Sequence, residues 1–264
     1  LSSETILRLC LTLGGLSLFA LLEAAFPARA RVLPRLGRWI TNMSLGGVSS
    51  LAVRLMGPAT VAGAALAAGE AGFGLFNQLT LPAWLVASLV LVLMDLAVWA
   101  QHLAMHKAPL LWRLHRVHHA DRDLDVTSGL RFHPFEAAVS MAWKAAVVFV
   151  LGAPVAAALG YEILLSLMAL FTHANLRLPA RLERALRVVI VTPDMHRTHH
   201  SILRTEMDSN YGNALSLWDR LFRTYTSAPR GELVLGLGGG QDANGASLPG
   251  MLWMPLAGRR PAGG

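Results

Sequence analysis

Residues 81–100 carry one charged side chain, Asp95, in a run of twenty. About 20 apolar residues in a helix cross the hydrocarbon core of a bilayer. Residues 5–26 form a similar run, interrupted only by Arg8 and Glu23. Composition agrees: 54% of the 264 residues are hydrophobic and 15% charged, against about a quarter charged in a soluble domain. An ordinary cytosolic enzyme and a disordered chain are both excluded, because a sequence this apolar buries surface rather than solvating it.

The runs predict a single membrane-embedded domain over 1–264, with N-terminal transmembrane helices over about 1–100. The first run reads as a retained helix rather than a cleaved signal, whose apolar core is shorter. Arg29, Arg31, Arg35 and Arg38 follow it, and the positive-inside rule puts their loop in the cytoplasm. A second span is expected over 45–68, kinked at Gly57-Pro58. The connection 69–80 has no Lys or Arg, as expected on the opposite side, and 81–100 returns to the cytoplasm. Residues 137–159 and 161–172 read as a membrane hairpin bent between Gly152 and Gly160. From Leu178 to Ile190, Arg181, Arg184 and Arg187 alternate with Leu182, Leu186, Val189 and Ile190; at helical spacing this is a helix lying on the bilayer surface. The Gly- and Pro-rich stretch 228–264 is expected to be an irregular tail.

The net charge of +7 comes from 23 basic and 16 acidic residues. The arginines flank apolar runs, so topology explains them and nucleic acid is not an expected partner. The lone Cys10 excludes an internal disulfide, a cysteine zinc site and an iron-sulfur cluster held by this chain alone. Metal chemistry here must use nitrogen and oxygen ligands.

All ten histidines lie between 102 and 200. His102 and His106 are spaced i, i+4; His115, His118 and His119 are spaced i, i+3, i+4, a pattern repeated by His196, His199 and His200. Residues three and four apart share a helix face. Any one imidazole is readily explained as a polar interfacial residue, but three such sets at helix ends are not, since near lipid a charged ring is costly and a neutral one needs a partner. Eight imidazoles exceed what one ion accepts, which points to two ions sharing a site. Imidazole suits Zn, Cu, Fe and Ni, and ligand type alone does not choose among them. No Glu-x-x-His, His-Glu-x-x-His or Gly-x-Ser-x-Gly occurs, which removes the signatures of soluble di-iron bundles, zinc proteases and serine hydrolases.

As a set, these histidine boxes resemble the fatty acid hydroxylase and sterol desaturase superfamily of integral membrane di-iron oxygenases. "DLAVWAQHLAMH", "LLWRLHRVHHADRDLDVTSGLRFHPFE", "LFTHANL", "VTPDMHRTHHS" and "NYGNALSLWDRLF" are similar to bacterial members in order and spacing, from about Trp39 to Tyr225. The resemblance implies an all-α fold, with multi-spanning membrane helices and a cytosolic histidine-rich helical cap, its catalytic region covering 101–227. It implies two irons and O2 as co-substrate, used to hydroxylate or desaturate a C–H site of a lipid such as a sterol, fatty acyl chain, carotenoid or polar lipid. Carried over by motif, the ligands are His102, His106, His115, His118, His119, His196, His199 and His200, with His173 of "THAN" as a ninth. His133 of "RFHP" stands between ligand and supporting residue. Asp95, Asn175, Asp194 and Asn210 are further candidates to ligate or to orient a ligand. Trp99, where relatives often have Tyr, and Arg223, where they usually have Gly, depart from the pattern without removing a ligand.

Electrons are expected from a separate donor (a ferredoxin, a cytochrome b5-like protein or a reductase), since the chain carries no His-Pro-Gly-Gly and no dinucleotide fingerprint. Arg113, Arg116, Arg122 and Arg131 are expected to offer a basic surface to that donor or to lipid headgroups. The expected location is a bacterial inner membrane. Two rival readings are a metal-ion transporter, which holds its ions near the bilayer midplane, and a zinc-dependent membrane hydrolase, which needs three protein ligands, an open water position and a carboxylate base.

Overall fold

The computed structural model describes residues 3–257, apart from the side chains of 3–8, 241, 243 and 244. The Arg8 side chain and the end of the expected tail, 258–264, lie outside the described residues. Twelve helices are described: α1 (Ser3–Ala25), α2 (Arg35–Arg54), α3 (Val61–Glu70), α4 (Ala83–Lys107), α5 (Pro109–His119), α6 (Pro134–Leu151), α7 (Val155–His173), α8 (Ala180–Leu186), α9 (Pro193–His199), α10 (Arg204–Met207), α11 (Leu217–Leu221) and α12 (Leu248–Trp253). The only β pairing among the described residues is three isolated bridges. The fold is all-α.

Among the described residues, three helices, α4, α6 and α7, are long and apolar enough to cross a membrane. Val86, Val90 and Met94 of α4 meet Met141 and Val148 of α6 and Ala158 and Tyr161 of α7 in one buried core. Outward-facing Trp84, Leu51 and Leu55 stay exposed, as a lipid solvent permits. Because α4 runs on to Lys107, it carries the first two histidines on the continuous end of a membrane helix.

The expected kinked span over 45–68 is instead two helices, α2 and α3. Gly57 adopts φ +58°, which ends a helix readily, and Pro58 has no N–H to continue one. Thr60 then caps α3 with its side chain. Neither α2 nor α3 is long and apolar enough to span by itself. The hairpin bend is also tighter than expected: Gly152, at φ +62°, ends α6, Pro154 precedes α7, and Gly160 lies inside α7. A Cβ on Gly74 would stand 2.2 Å from the Gly152 nitrogen, so both glycines allow the 72–77 turn to pack on the bend.

The basic loop after α1 does more than mark topology. Arg38 is nearly buried and binds Asp121 at 2.8 Å and Asp125 at 2.6 Å. Glu23, fully buried, accepts from the Val126 and Asn175 amides at 3.0 and 3.1 Å and from Arg35 at 3.1 Å. Burial would raise the Asp121 carboxyl, but Arg38 and Arg131 hold it down at about 2. This platform ties α1 and α2 to the loop after α5.

The surface helix expected over 178–190 is only one short helix, α8, after which Ile190 bridges Leu215. The stretch expected to be an irregular tail is largely packed. Leu237, Met251 and Met254 bury against Leu45, Val117 and Ala120, and Arg131 donates to the Gly245 carbonyl at 2.8 Å. Gly and Pro content concealed α12, which starts with a Ser247 cap and Pro249 in its first turn.

Candidate metal centre

The histidines converge at one end of the long helices. The last turns of α4 supply His102 and His106; α5 supplies His115, His118 and His119; α7 ends on His173; α9 supplies His196 and His199, with His200 as its C-cap. They form two groups, His102, His106, His115, His119 and His199 in one and His118, His173, His196 and His200 in the other, with the donor atoms of each group within 4.8 Å of one another. The groups adjoin: the His119 and His200 rings stack with centroids 4.3 Å apart.

Hydrogen bonds on one nitrogen fix the other. Nδ1–H of His118 donates to the Arg131 carbonyl at 3.2 Å, of His173 to Ala169 at 2.7 Å, of His102 to Tyr211 at 2.7 Å, and of His199 to Ser209 at 2.6 Å. His115 Nδ1–H donates to the Glu136 carboxylate at 2.6 Å. With Nδ1 carrying the proton, Nε2 is in each ring the nitrogen whose lone pair is left for a metal. Yet Nε2 of His118 faces Nε2 of His173 at 2.9 Å, and Nε2 of His102 faces Nε2 of His115 at 3.1 Å. Two lone pairs so placed repel unless they share a cation. Two nitrogens each within about 2.1 Å of one divalent ion would lie no more than about 4.2 Å apart, so this spacing would admit a shared ion. The pairs His173–His196 and His196–His200 repeat the spacing, at 2.9 and 3.1 Å.

Orphaned atoms point the same way. Both ring nitrogens of His106 and His119 and Nε2 of His199 are buried without a hydrogen-bond partner. A buried polar group left unsatisfied costs about 1–3 kcal/mol, and a metal ion satisfies one nitrogen of each ring; Nδ1 of His106 lies 3.6 Å from the Asp208 carboxylate. The donor set fits two metal ions.

Burial pushes His118, His119, His196 and His200 well below the ordinary imidazole value, each helped by neighbouring imidazoles, and takes His199 down to about 3. Neutral rings are the metal-binding form. A group whose folded value is depressed contributes stability that is lost as the pH falls from its unfolded value through the folded one. Chelator-stripped protein is therefore expected to lose thermal stability as the pH drops from 6.5 toward 3. A melting temperature in detergent that is unchanged between pH 7.5 and pH 5 would contradict this.

The supporting residues differ from expectation. Asp95 touches no histidine: its carboxylate accepts from the Ala214 and Leu215 amides, the Trp218 indole and the Tyr161 hydroxyl at 2.9–3.3 Å. It fixes the "NALSLWD" turn onto α4. Asn175 pairs through its side chain with the Arg29 backbone. Asp194 pairs with Arg197 on its own helix. Asn210, at φ +52°, holds Met195 and Thr226, next to the Ser209 carbonyl that receives His199. His133 lies outside both groups: it caps α6, with Nδ1 accepting from the Phe135 amide at 3.2 Å and Nε2–H donating to the Leu252 carbonyl at 3.3 Å. Of the four arginines expected on a basic surface, Arg116 and Arg131 are buried and only Arg113 and Arg122 are exposed.

The sequence reading missed Glu136, although it stands in the quoted "RFHPFE". Its place three residues after His133, in the first turn of α6, was the available signal. The two departures also find their reasons. Trp99 donates to Asp219 at 3.0 Å, and Arg223 adopts φ +61°, a conformation glycine takes without strain.

A family model for fatty acid hydroxylases matches residues 87–224, more than half of the chain. The chain is 31% identical over 140 residues to an ornithine lipid hydroxylase of Rhizobium tropici, covering 53% of this chain and 41% of that one. It is 29% identical over 142 residues to an alkylglycerol monooxygenase of Xenopus tropicalis, covering 53% and 30%. With the Homo sapiens alkylglycerol monooxygenase it shares 26% over 144 residues, covering 54% and 31%. The matched stretch thus spans less than half the length of these relatives. No solved structure matches the chain. The matched region holds all ten histidines, and their two clusters are those of a di-iron centre typical of this group: the chain belongs to the fatty acid hydroxylase family.

Proposed function

We propose that the protein is a membrane oxygenase acting on the alkyl or acyl chain of a polar lipid. The observation that carries this is the pair of histidine clusters whose Nε2 lone pairs face one another. In this reading His102, His106, His115, His119 and His199 hold one iron, and His118, His173, His196 and His200 the other. Bound there, the irons supply O2 activation and one-electron chemistry. The residues orient and insulate: the Arg131, Ala169, Ser209 and Tyr211 carbonyls and Glu136 hold five imidazoles in one tautomer, and burial excludes water. Hydroxylation replaces a C–H bond by C–OH, with the second oxygen atom leaving as water. Desaturation instead removes two hydrogens and reduces O2 to two waters. Either takes two electrons and two protons from outside, and we assign the electrons to a separate carrier.

Polar lipids are favoured over sterols and carotenoids because the ornithine lipid hydroxylase and the alkylglycerol monooxygenases are named for polar lipids. We place the histidine end in the cytoplasm of a bacterial inner membrane. In support, Arg29 bonds Asn175, two residues from His173, so the arginine-rich loop lies at the histidine end. The ends of α4 and α7, rather than their middles, carry the histidines, which argues against a midplane transport site. Comparative lipid mass spectrometry of cells with and without the gene tests the proposal. The expected result is an O2-dependent polar lipid heavier by one oxygen or lighter by two hydrogens; an unchanged lipid profile would contradict it.

A further inference from the structure

We propose that the seam between α4 and α6 receives the membrane lipid, and that Gln101 binds the carbonyl joining the lipid's acyl chain to its headgroup. The proposal rests on the oxygenase reading and names where and by what atom its substrate is held. Eight of the nine clustered histidines are buried; His102 alone is partly exposed. The residue before it, Gln101, is also partly exposed. Its Oε1 accepts from Ser140 on α6 at 3.3 Å, which fixes the amide's orientation, and its Nε2 has no hydrogen-bond partner among the described residues. Below this pair the Trp143 indole of α6 donates to the Ala97 carbonyl of α4 at 2.9 Å. Above it Glu136 of α6 reaches His115. These contacts place the α4–α6 seam between the exposed side chains of Val139 and Trp143 and the histidine cluster.

An amide N–H₂ facing lipid without a partner is unfavourable. The acceptor a bilayer offers in quantity at this depth is the carbonyl at the head of an acyl chain. Seated on Gln101, that carbonyl lets its chain lie along exposed Val139 and Trp143, which follow one another on one face of α6.

Photolabelling tests this without turnover, using full-length, metal-loaded protein in nanodiscs. Three diazirine-bearing probes are compared: an N-acyl amino acid lipid, an ester-linked phosphatidylglycerol, and an ether-linked analogue that lacks the carbonyl. The expected result is labelling of Val139 or Trp143 by a carbonyl lipid, reduced roughly tenfold in Gln101→Leu, the weight of one hydrogen bond, with metal content unchanged. The amide and ester arms tell which linkage is taken. Val139→Trp, which fills the seam and spares Gln101, is expected to abolish the labelling too. Equal labelling by the ether analogue, undiminished labelling in Gln101→Leu, or loss of metal from that variant would overturn the proposal. Labelling as expected in protein that yields no oxygenated lipid would instead count against the oxygenase reading alone.

Discussion

His118→Ala and His199→Ala are each expected to lower iron content and to reduce turnover by more than roughly 100-fold, beyond the range for merely disturbing a ligand's support, while the protein stays in the membrane fraction. The two residues sample the two groups. His118 stacks on Phe132 and aims Nε2 at Nε2 of His173. Without it the second group keeps three imidazoles, and nothing else among the described residues there replaces the lost nitrogen. His199 is held by the Ser209 carbonyl with its Nε2 otherwise orphaned. Because neither ring belongs to the apolar core of α4, α6 and α7, membrane insertion is expected to survive. Metal analysis of the purified variants, with wild-type iron and activity in either one, would remove that residue from the proposed ligand set.

Glu136 carries the second large effect. Its carboxylate takes the His115 Nδ1–H at 2.6 Å, in a pocket where both side chains are nearly buried, and so makes Nε2 of His115 the more basic donor. Removing such a partner costs about 10- to 100-fold in metal affinity or activity. Glu136→Leu is expected to show that loss in kcat, with KM little changed. Glu136→Gln, which still offers an oxygen to the same N–H, is expected to recover part of it. A merely structural role would leave the two variants alike, and that outcome would contradict the assignment.

The histidines were legible because their spacing is short-range and helical, so each box announces its own face. Their division into two groups was not. His118 and His119 are neighbours in sequence but lie about 100° apart around α5, and each joins a different group, as His199 and His200 also do. The orienting carbonyls of Arg131, Ala169, Ser209 and Tyr211 leave no side-chain signature at all. Asp95 stands about 10.5 Å along α4 from His102, and its partners Tyr161, Ala214, Leu215 and Trp218 come from distant stretches of the sequence that a local spacing does not reveal. The membrane character of α4, α6 and α7 followed from apolar length alone. The break between α2 and α3 turned on the backbone of Gly57, and the packing of the tail on long-range contacts such as Arg131 with Gly245, neither of which a hydropathy pattern carries.

In the proposed oxygenase, imidazoles from α4, α5, α7 and α9 cage two irons. Metal analysis and Mössbauer spectroscopy of protein purified anaerobically from iron-replete cells test it most directly. Two irons per chain, in two nitrogen-rich environments, is the expected result; a single zinc per chain, with activity retained under argon, would contradict it.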